Sequence, residues 1–467
     1  MRERTRMIRR FIRKVLGRTG FGGFDGTRHP QHEPRIIPHA QHGISRDDIH
    51  PCALKVTRTL RAEGYAAFVV GGAVRDLLLK REPKDFDIAT DATPDQVRAL
   101  FRRARAIGRR FQIVHVYCGA DTIEVTTFRA PPEADADALH QQAADGMLLR
   151  DNVFGNQVED AARRDFTVNA LYYDPHDETI WDYHEGVADA KKRVLRMIGD
   201  PATRFREDPV RMLRAARFSA KLGFHIEAAT RAPIAQLAPM LERIPSARIY
   251  DEMMKLLLSG HAERGVHQLR AEGLHHGILP ILDSVLDNPD HKPFIHAILH
   301  DTDRRIQDGR SASPAFMLAG LLWFAFKVEW QAQKAAGLPD SAAAYEAMDI
   351  ILEQQRKWLA FPRRLDPMIK EIWALQPRFE FRNGARPFRL LDHPRWRAGY
   401  DFLCLRGHST DPDEVAATEL ADWWTRFEAA DDAERDTLLV THASGERKPR
   451  RRRKRTNTPE ATGDEGA

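Results

Sequence analysis

The sequence predicts an α+β protein, with a mixed α/β unit ahead of a remainder made almost wholly of helices. Two observations carry this. Between 45 and 175, short apolar runs broken by glycines alternate with helical patterns. From 201 onward strand signals nearly vanish, and apolar residues recur at helical spacing over 208–222, 246–258, 261–272, 314–328 and 341–358. A chain of 467 residues supports about three folded units.

Taken in order, residues 1–33 read as a basic flexible arm. Met7, Ile8, Phe11, Ile12, Val15 and Leu16 share one helical face there, with Arg9, Arg10, Arg13 and Lys14 opposite. The mixed unit occupies 34–175. Ala66–Val70 is an apolar strand, Gly71-Gly72 breaks it, and a helix continues over Val74–Leu79. Phe86–Ala89 is the next strand, and Thr93-Pro94 caps a helix. Ile113–Cys118 and Thr122–Thr127 form a hairpin across Gly119-Ala120-Asp121. Residues 130–148 read as a flexible excursion. Helical segments 176–245 and 246–430 follow, then a basic disordered tail over 431–467.

A net charge of +5 hides two basic ends on a nearly balanced body. Residues 447–455 carry eight Arg/Lys in nine positions. Such ends point to a polyanion, either nucleic acid or, through the amphipathic arm, an anionic membrane surface. Cys52, Cys118 and Cys404 are far apart and match no metal-ligand spacing, so a reducing compartment without disulfides is expected. No apolar run reaches the roughly 20 residues of a membrane span, and no secretory signal is visible. A cytoplasmic location is the expectation, with association at a membrane surface left open.

The chemistry concentrates in Phe68-Val69-Val70-Gly71-Gly72-Ala73-Val74-Arg75-Asp76 and Lys84-Asp85-Phe86-Asp87. Strand residues two apart point the same way, so Asp85 and Asp87 should project together. Like charges that close need a cation, and Mg²⁺ accepts carboxylates together with substrate phosphates. Gly71-Gly72 would let backbone approach a phosphate, and Arg75, one turn on, could reach it with both guanidinium nitrogens. Alone, an Asp-x-Asp is usually a solvated turn and a Gly-Gly a bend. The ordered combination within about 20 residues is far more specific.

These motifs resemble those of the class II nucleotidyltransferases, the bacterial poly(A) polymerases and CCA-adding enzymes. Val70–Asp76 is similar to the family's first motif, Asp85-Phe86-Asp87 to its acid pair, and Arg163–Leu171 to its second motif. Arg206–Phe218 resembles the nucleotide-selecting motif, and Arg248–Leu257 the helix after it. Gln41–Ser45, Ile107–Val116 and Leu148–Asn152 resemble the poly(A) polymerase branch more closely. The resemblance implies a polymerase-β-like head, a neck over 176–245 and an RNA-binding body over 246–430. It implies catalytic Asp85, Asp87 and Asp165, with Asp85 and Asp87 holding Mg²⁺. Gly71, Gly72, Arg75, Arg164 and Asn169 would bind the nucleotide. Glu124, on the solvent side of its strand, rivals Asp165 as the third carboxylate.

Asp208 and Arg211 lie three apart, on one face of the helix that starts near Pro209, with Arg214 beside them. A carboxylate accepts from an exocyclic amine while a guanidinium donates to a ring nitrogen, which matches adenine. Cytosine offers the same pair, so the motif leaves a CCA-adding enzyme open as an alternative; an inactive RNA-binding adaptor is a third reading. The implied partners are ATP, an RNA 3′ end and RNA-decay proteins, with no DNA. Residues 356–397 interleave arginines with aromatics, read as a basic surface over mostly buried rings. His296 and His300-Asp301 resemble part of a metal dyad, but no second set follows.

Overall fold

The computed structural model describes residues 33–108, 112–130, 140–142, 148–151, 153–275 and 288–440. The amphipathic arm and the run of basic residues at 447–455 lie outside them. Eight strands form one sheet: β1 (Arg35–Pro38), β2 (Ala67–Val70), β3 (Asp87–Thr90), β4 (Ala104–Ile107), β5 (Ile113–Cys118), β6 (Asp121–Thr127), and, after a separate hairpin of β7 (His140–Gln142) and β8 (Leu148–Asp151), β9 (Leu171–Asp174) and β10 (Thr179–Asp182). Their spatial order is β1-β10-β9-β2-β3-β6-β5-β4. The β3/β6 pair is parallel and the other pairs are antiparallel.

Alternation along β2 divides the core. Val69 joins Ile88, Val114 and Val125 beneath the helix Pro51–Ala62, which contributes Val56 and Leu60. Phe68 turns to the other face, against Phe128, Tyr172 and Trp181. The helix Pro94–Leu100 starts as expected, with Thr93 and Gln96 forming a reciprocal capping box.

The structure corrects several expectations. The head does not stop at 175, because β10 completes a hairpin with β9 and β1 pairs with its far edge. Strand β3 begins at Asp87, which leaves Asp85 exposed in the preceding segment. Cys52, at the start of its helix, and Cys118, at the end of β5, are joined in a disulfide. Asp432–Leu438, inside the expected tail, is a helix with a capping box between Asp431 and Glu434.

Beyond the sheet the helices Pro201–Glu207, Val210–Leu222, Ser246–Leu257 and Ala262–Ala271 follow, then Lys292–Gln307. The 314–328 pattern divides at Leu322 into Pro314–Leu321 and Trp323–Ala335, and Asp340–Trp358 comes after. The chain forms two compact units, one through Ile369 and one from Lys370. The second is built on Phe379, Trp396, Trp423, Trp424 and Phe427. Among the described residues no helix is long and apolar enough to cross a membrane.

Candidate active site

Parallel pairing of β3 with β6 sets Asp87 directly beside Glu124. Burial and then the Glu124 carboxylate push Asp87 up to about 6; Asp85 adds to the shift and Arg164 opposes it. Glu124 is also 3.3 Å from His115 on β5. The acids around Asp87 are therefore Glu124 and Asp85.

Asp165 stands differently from the expectation. Its Oδ2 accepts from Arg214 Nε at 2.8 Å, and its Oδ1 accepts from Asn169 Nδ2 at 3.1 Å and from the Phe166 amide at 2.8 Å. Burial alone would raise its pKa, but Arg214 and these donors outweigh that and hold it far below the carboxylate range. Arg75 is buried. It donates from Nε to Asp76 at 2.8 Å and from Nη1 to Asn169 at 2.6 Å, and it lies 5.3 Å from the Phe218 ring. Asn169 thus ties Arg75 to Asp165, and Asp165 ties the head to the helix Val210–Leu222.

Gly71 has φ +70° and ψ −124°, a conformation that only glycine adopts cheaply. A Cβ there would stand 3.4 Å from Arg164 Nη1. Arg164 itself is fixed from below: its Nε and Nη2 donate to Asp160 at 3.2 and 3.0 Å, and Nε also donates to the Tyr172 hydroxyl at 2.9 Å. Around it gathers positive charge that the motifs alone do not single out. Burial, then Arg129, Arg211, Arg164 and Arg204, lower Arg163 to about 8. Burial and Arg211 lower Arg204 to about 10. Guanidiniums crowded until they repel one another are a place for a polyanion. The Arg163-Arg164 doublet was the signal available in the sequence; Arg129 and Arg204 come from distant segments.

Asp208 and Arg211 do not pair with each other. Asp208 Oδ2 accepts from Arg248 Nη2 at 3.0 Å. Arg211 Nη1 donates to Glu207 Oε2 at 3.0 Å and to the Arg204 carbonyl at 2.9 Å. Arg214 reaches Glu252 Oε1 at 3.3 Å, and Arg217 donates to the other oxygen of Glu252 at 2.7 Å. The helix Ser246–Leu257, which carries Arg248 and Glu252, therefore braces Asp208, Arg214 and Arg217. Elsewhere His296 pairs with Glu263 at 2.9 Å and Asp301 with Arg304 at 2.6 Å. Among the described residues no cluster of three or more His, Cys, Asp or Glu could hold a metal by itself.

The Asp87–Glu124 carboxylates, the crowded arginines around Arg163 and the Asp208 and Arg211 side chains held by Arg248 and Glu207 are the groups a nucleoside triphosphate and its metal would need, and on this mixed sheet they point to a nucleotidyltransferase. Sequence families sharpen the class. Residues 67–196 match the "Poly A polymerase head domain", 223–286 the "Probable RNA and SrmB- binding site of polymerase A", and 336–458 the "Polymerase A arginine-rich C-terminus". Poly(A) polymerase I of Salmonella typhimurium is 43% identical over 96% of this chain and 97% of its own. That of Haemophilus influenzae is 40% identical over 92% and 97%. A CCA-adding enzyme of Bacillus pumilus is 36% identical over 58% and 60%. The crystal structure of the Bacillus stearothermophilus CCA-adding enzyme with CTP superposes with a TM-score of 0.54 at 28% identity, covering 82% of this chain and 83% of that one. The chain belongs to the poly(A) polymerase family and is an RNA adenylyltransferase.

Proposed function

We propose that the chain extends RNA 3′ ends with adenylate from ATP, in the service of RNA processing and decay. The RNA 3′-hydroxyl gives up its proton to solvent, its oxygen attacks the α-phosphorus, the new O–P bond forms, and the bond to the β-phosphate oxygen breaks to release pyrophosphate. The observation that carries this reading is the Asp87–Glu124 juxtaposition, a carboxylate pair whose charge asks for a cation. The donor set is all oxygen and too small to enclose an ion alone, which suits Mg²⁺ completed by substrate phosphates. Asp85 and Asp87 would hold it, with Glu124 as the third carboxylate. When bound, the metal supplies Lewis-acid activation of the attacking hydroxyl and charge neutralisation on the phosphates.

The chain's own residues do the rest. Arg163, with Arg164 and Arg204 beside it, holds the triphosphate in line with the acceptor. Gly71 and Gly72 keep the approach clear of side chains. Asp208 accepts from adenine N6 and Arg211 donates to N1, with Arg248 and Glu207 fixing their directions. Guanine and uracil present the reverse pattern, and each unpaired buried group costs about 1–3 kcal/mol. Asp165, Arg75, Asn169 and Arg214 hold the head against the selecting helix. The reading includes a cytoplasmic location, and contacts of the arm with anionic lipid and of the body with RNA-decay proteins. Purified protein given a single NTP at a time with an oligo(A) primer tests it: ATP alone should be incorporated. Because cytosine shares adenine's donor–acceptor pair, CCA addition is the second reading; preferential CTP incorporation on tRNA lacking its terminal CCA would select it.

A further inference from the structure

The second unit carries a charge pattern that the chemistry above does not use. Four of the nine described arginines of this unit pair with carboxylates. Arg395 pairs with Glu371 at 2.9 Å, Arg397 with Asp401 at 2.9 Å, Arg406 with Glu414 at 2.6 Å and Arg435 with Asp432 at 3.4 Å. Four neighbours in sequence behave otherwise. Among the described residues none of Arg378, Arg382, Arg386 and Arg389 pairs with a carboxylate. Over residues 378–389, four arginines less the one acid, Glu380, leave a charge of +3.

Aromatic placement in the same segment is just as selective. Phe379 is fully buried, 5.5 Å from Trp396 and 5.4 Å from Trp424. Phe381, two residues on, is 46% exposed, and the Arg386 guanidinium lies 4.7 Å from its ring centroid. Between them the chain turns at Gly384, whose φ is +56° and whose Cβ position faces open space. A ring left out among unneutralised guanidiniums has the composition of a stacking platform for bases, with cations on either side for the backbone.

We propose that Phe381, with Arg378, Arg382, Arg386 and Arg389, is a binding site for single-stranded RNA, in which a base stacks on the Phe381 ring and the arginines track the flanking phosphates. It rests on the reading that RNA is the acceptor, and it concerns RNA away from the reacting end. The site reads no sequence, since every base has a π-face, and so suits an enzyme whose product grows by repetition.

Binding of an oligoadenylate carrying 2-aminopurine, measured without nucleotide, tests the site. The absence of nucleotide keeps the result separate from that of the incorporation assay. Stacking quenches the fluorophore, and Phe381→Ala should relieve part of the quench and raise the Kd about tenfold. Phe381→Trp should restore both. Arg382→Ala with Arg386→Ala should raise the Kd and make the plot of log K against log salt shallower by about 0.7 for each phosphate that is no longer neutralised. Phe381 is exposed, so an unchanged thermal midpoint should accompany its loss of binding. Wild-type affinity and quench in Phe381→Ala would overturn the proposal, as would failure of Phe381→Trp to rescue. So would an effect of the arginine pair on binding of an acidic peptide but not of RNA.

Discussion

Asp87 and Glu124 occupy paired positions on two parallel strands, so two carboxylates separated by 37 residues of sequence are held side by side by the sheet itself. Burial, and then the Glu124 charge beside it, make Asp87 reluctant to ionise.

Stability should record that reluctance in the metal-free protein. Asp87 titrates near 6 when folded, against 3.8 ordinarily. Its protonation therefore favours the fold: the contribution is complete below the unfolded value, is lost as pH rises through 6, and leaves a cost above it. Asp87→Asn should thus be more stable than the wild type at pH 7.5 in EDTA, by at most about 3 kcal/mol for two pK units. The difference should shrink as pH falls from 6 and vanish only well below the unfolded value of 3.8. A variant less stable than the wild type at pH 7.5 would refute the electrostatic account, whatever its activity.

The two candidates for third carboxylate separate in opposite ways. Glu124→Gln should fold normally and lose about 100-fold or more in kcat, with the KM for ATP little changed. Asp165→Asn leaves the part-exposed Arg214 with Glu252 as its remaining carboxylate, and losing the charged hydrogen bond costs about 1.5–3 kcal/mol. Its first symptom should be a lowered thermal midpoint. If Asp165→Asn kept full stability while Glu124→Gln kept full activity, the assignment would be reversed.

Much of this site was legible locally. Asp85, Asp87, the glycine pair, Asp208 and Arg211 are visible as motifs within single segments, but Asp85 precedes β3 and Asp208 precedes the helix Val210–Leu222, so neither shared-face reading holds. Glu124 was visible as a polar residue alternating with Ile123 and Val125, but its place beside Asp87 needed the β3/β6 register. The partner of Arg75 could not be read, because Asn169, which accepts from it, lies 94 residues away. The same holds for the Arg163 cluster, and for the disulfide, whose cysteines are 66 residues apart. The boundary at 175 failed because β10 follows a short turn and is only four residues long.

Arg248 should affect base choice without touching the base. Removing it frees Asp208 to rotate away from the exocyclic amine. Arg248→Ala should therefore cut the ratio of ATP to GTP use about tenfold, since one misplaced hydrogen bond is worth about 1–3 kcal/mol. The KM for primer should be unchanged. Arg248→Lys should rescue in part, because an ammonium can remake the single hydrogen bond to Asp208 Oδ2. Steady-state rates with four NTPs decide this; an unaltered preference in Arg248→Ala would mean that Asp208 is held, or the base read, elsewhere.

The basic run at 447–455, outside the described residues, should act through charge alone. Deletion after Gly445 should raise the KM for RNA and flatten the salt dependence of RNA binding, leaving the KM for ATP as it was. Coincident salt plots for the two proteins would make the run a docking segment for a protein partner instead.

The most direct test of the whole account sets ATP and CTP against each other on two acceptors. Purified protein with Mg²⁺ is given each nucleotide separately, on an oligo(A) primer and on tRNA lacking its terminal CCA. The account predicts long adenylate extension of the oligo(A) primer from ATP, little incorporation of CTP on either acceptor, and loss of all transfer in Asp87→Ala. Stepwise addition of two cytidylates and one adenylate to the tRNA, with the oligo(A) primer left unextended, would contradict it.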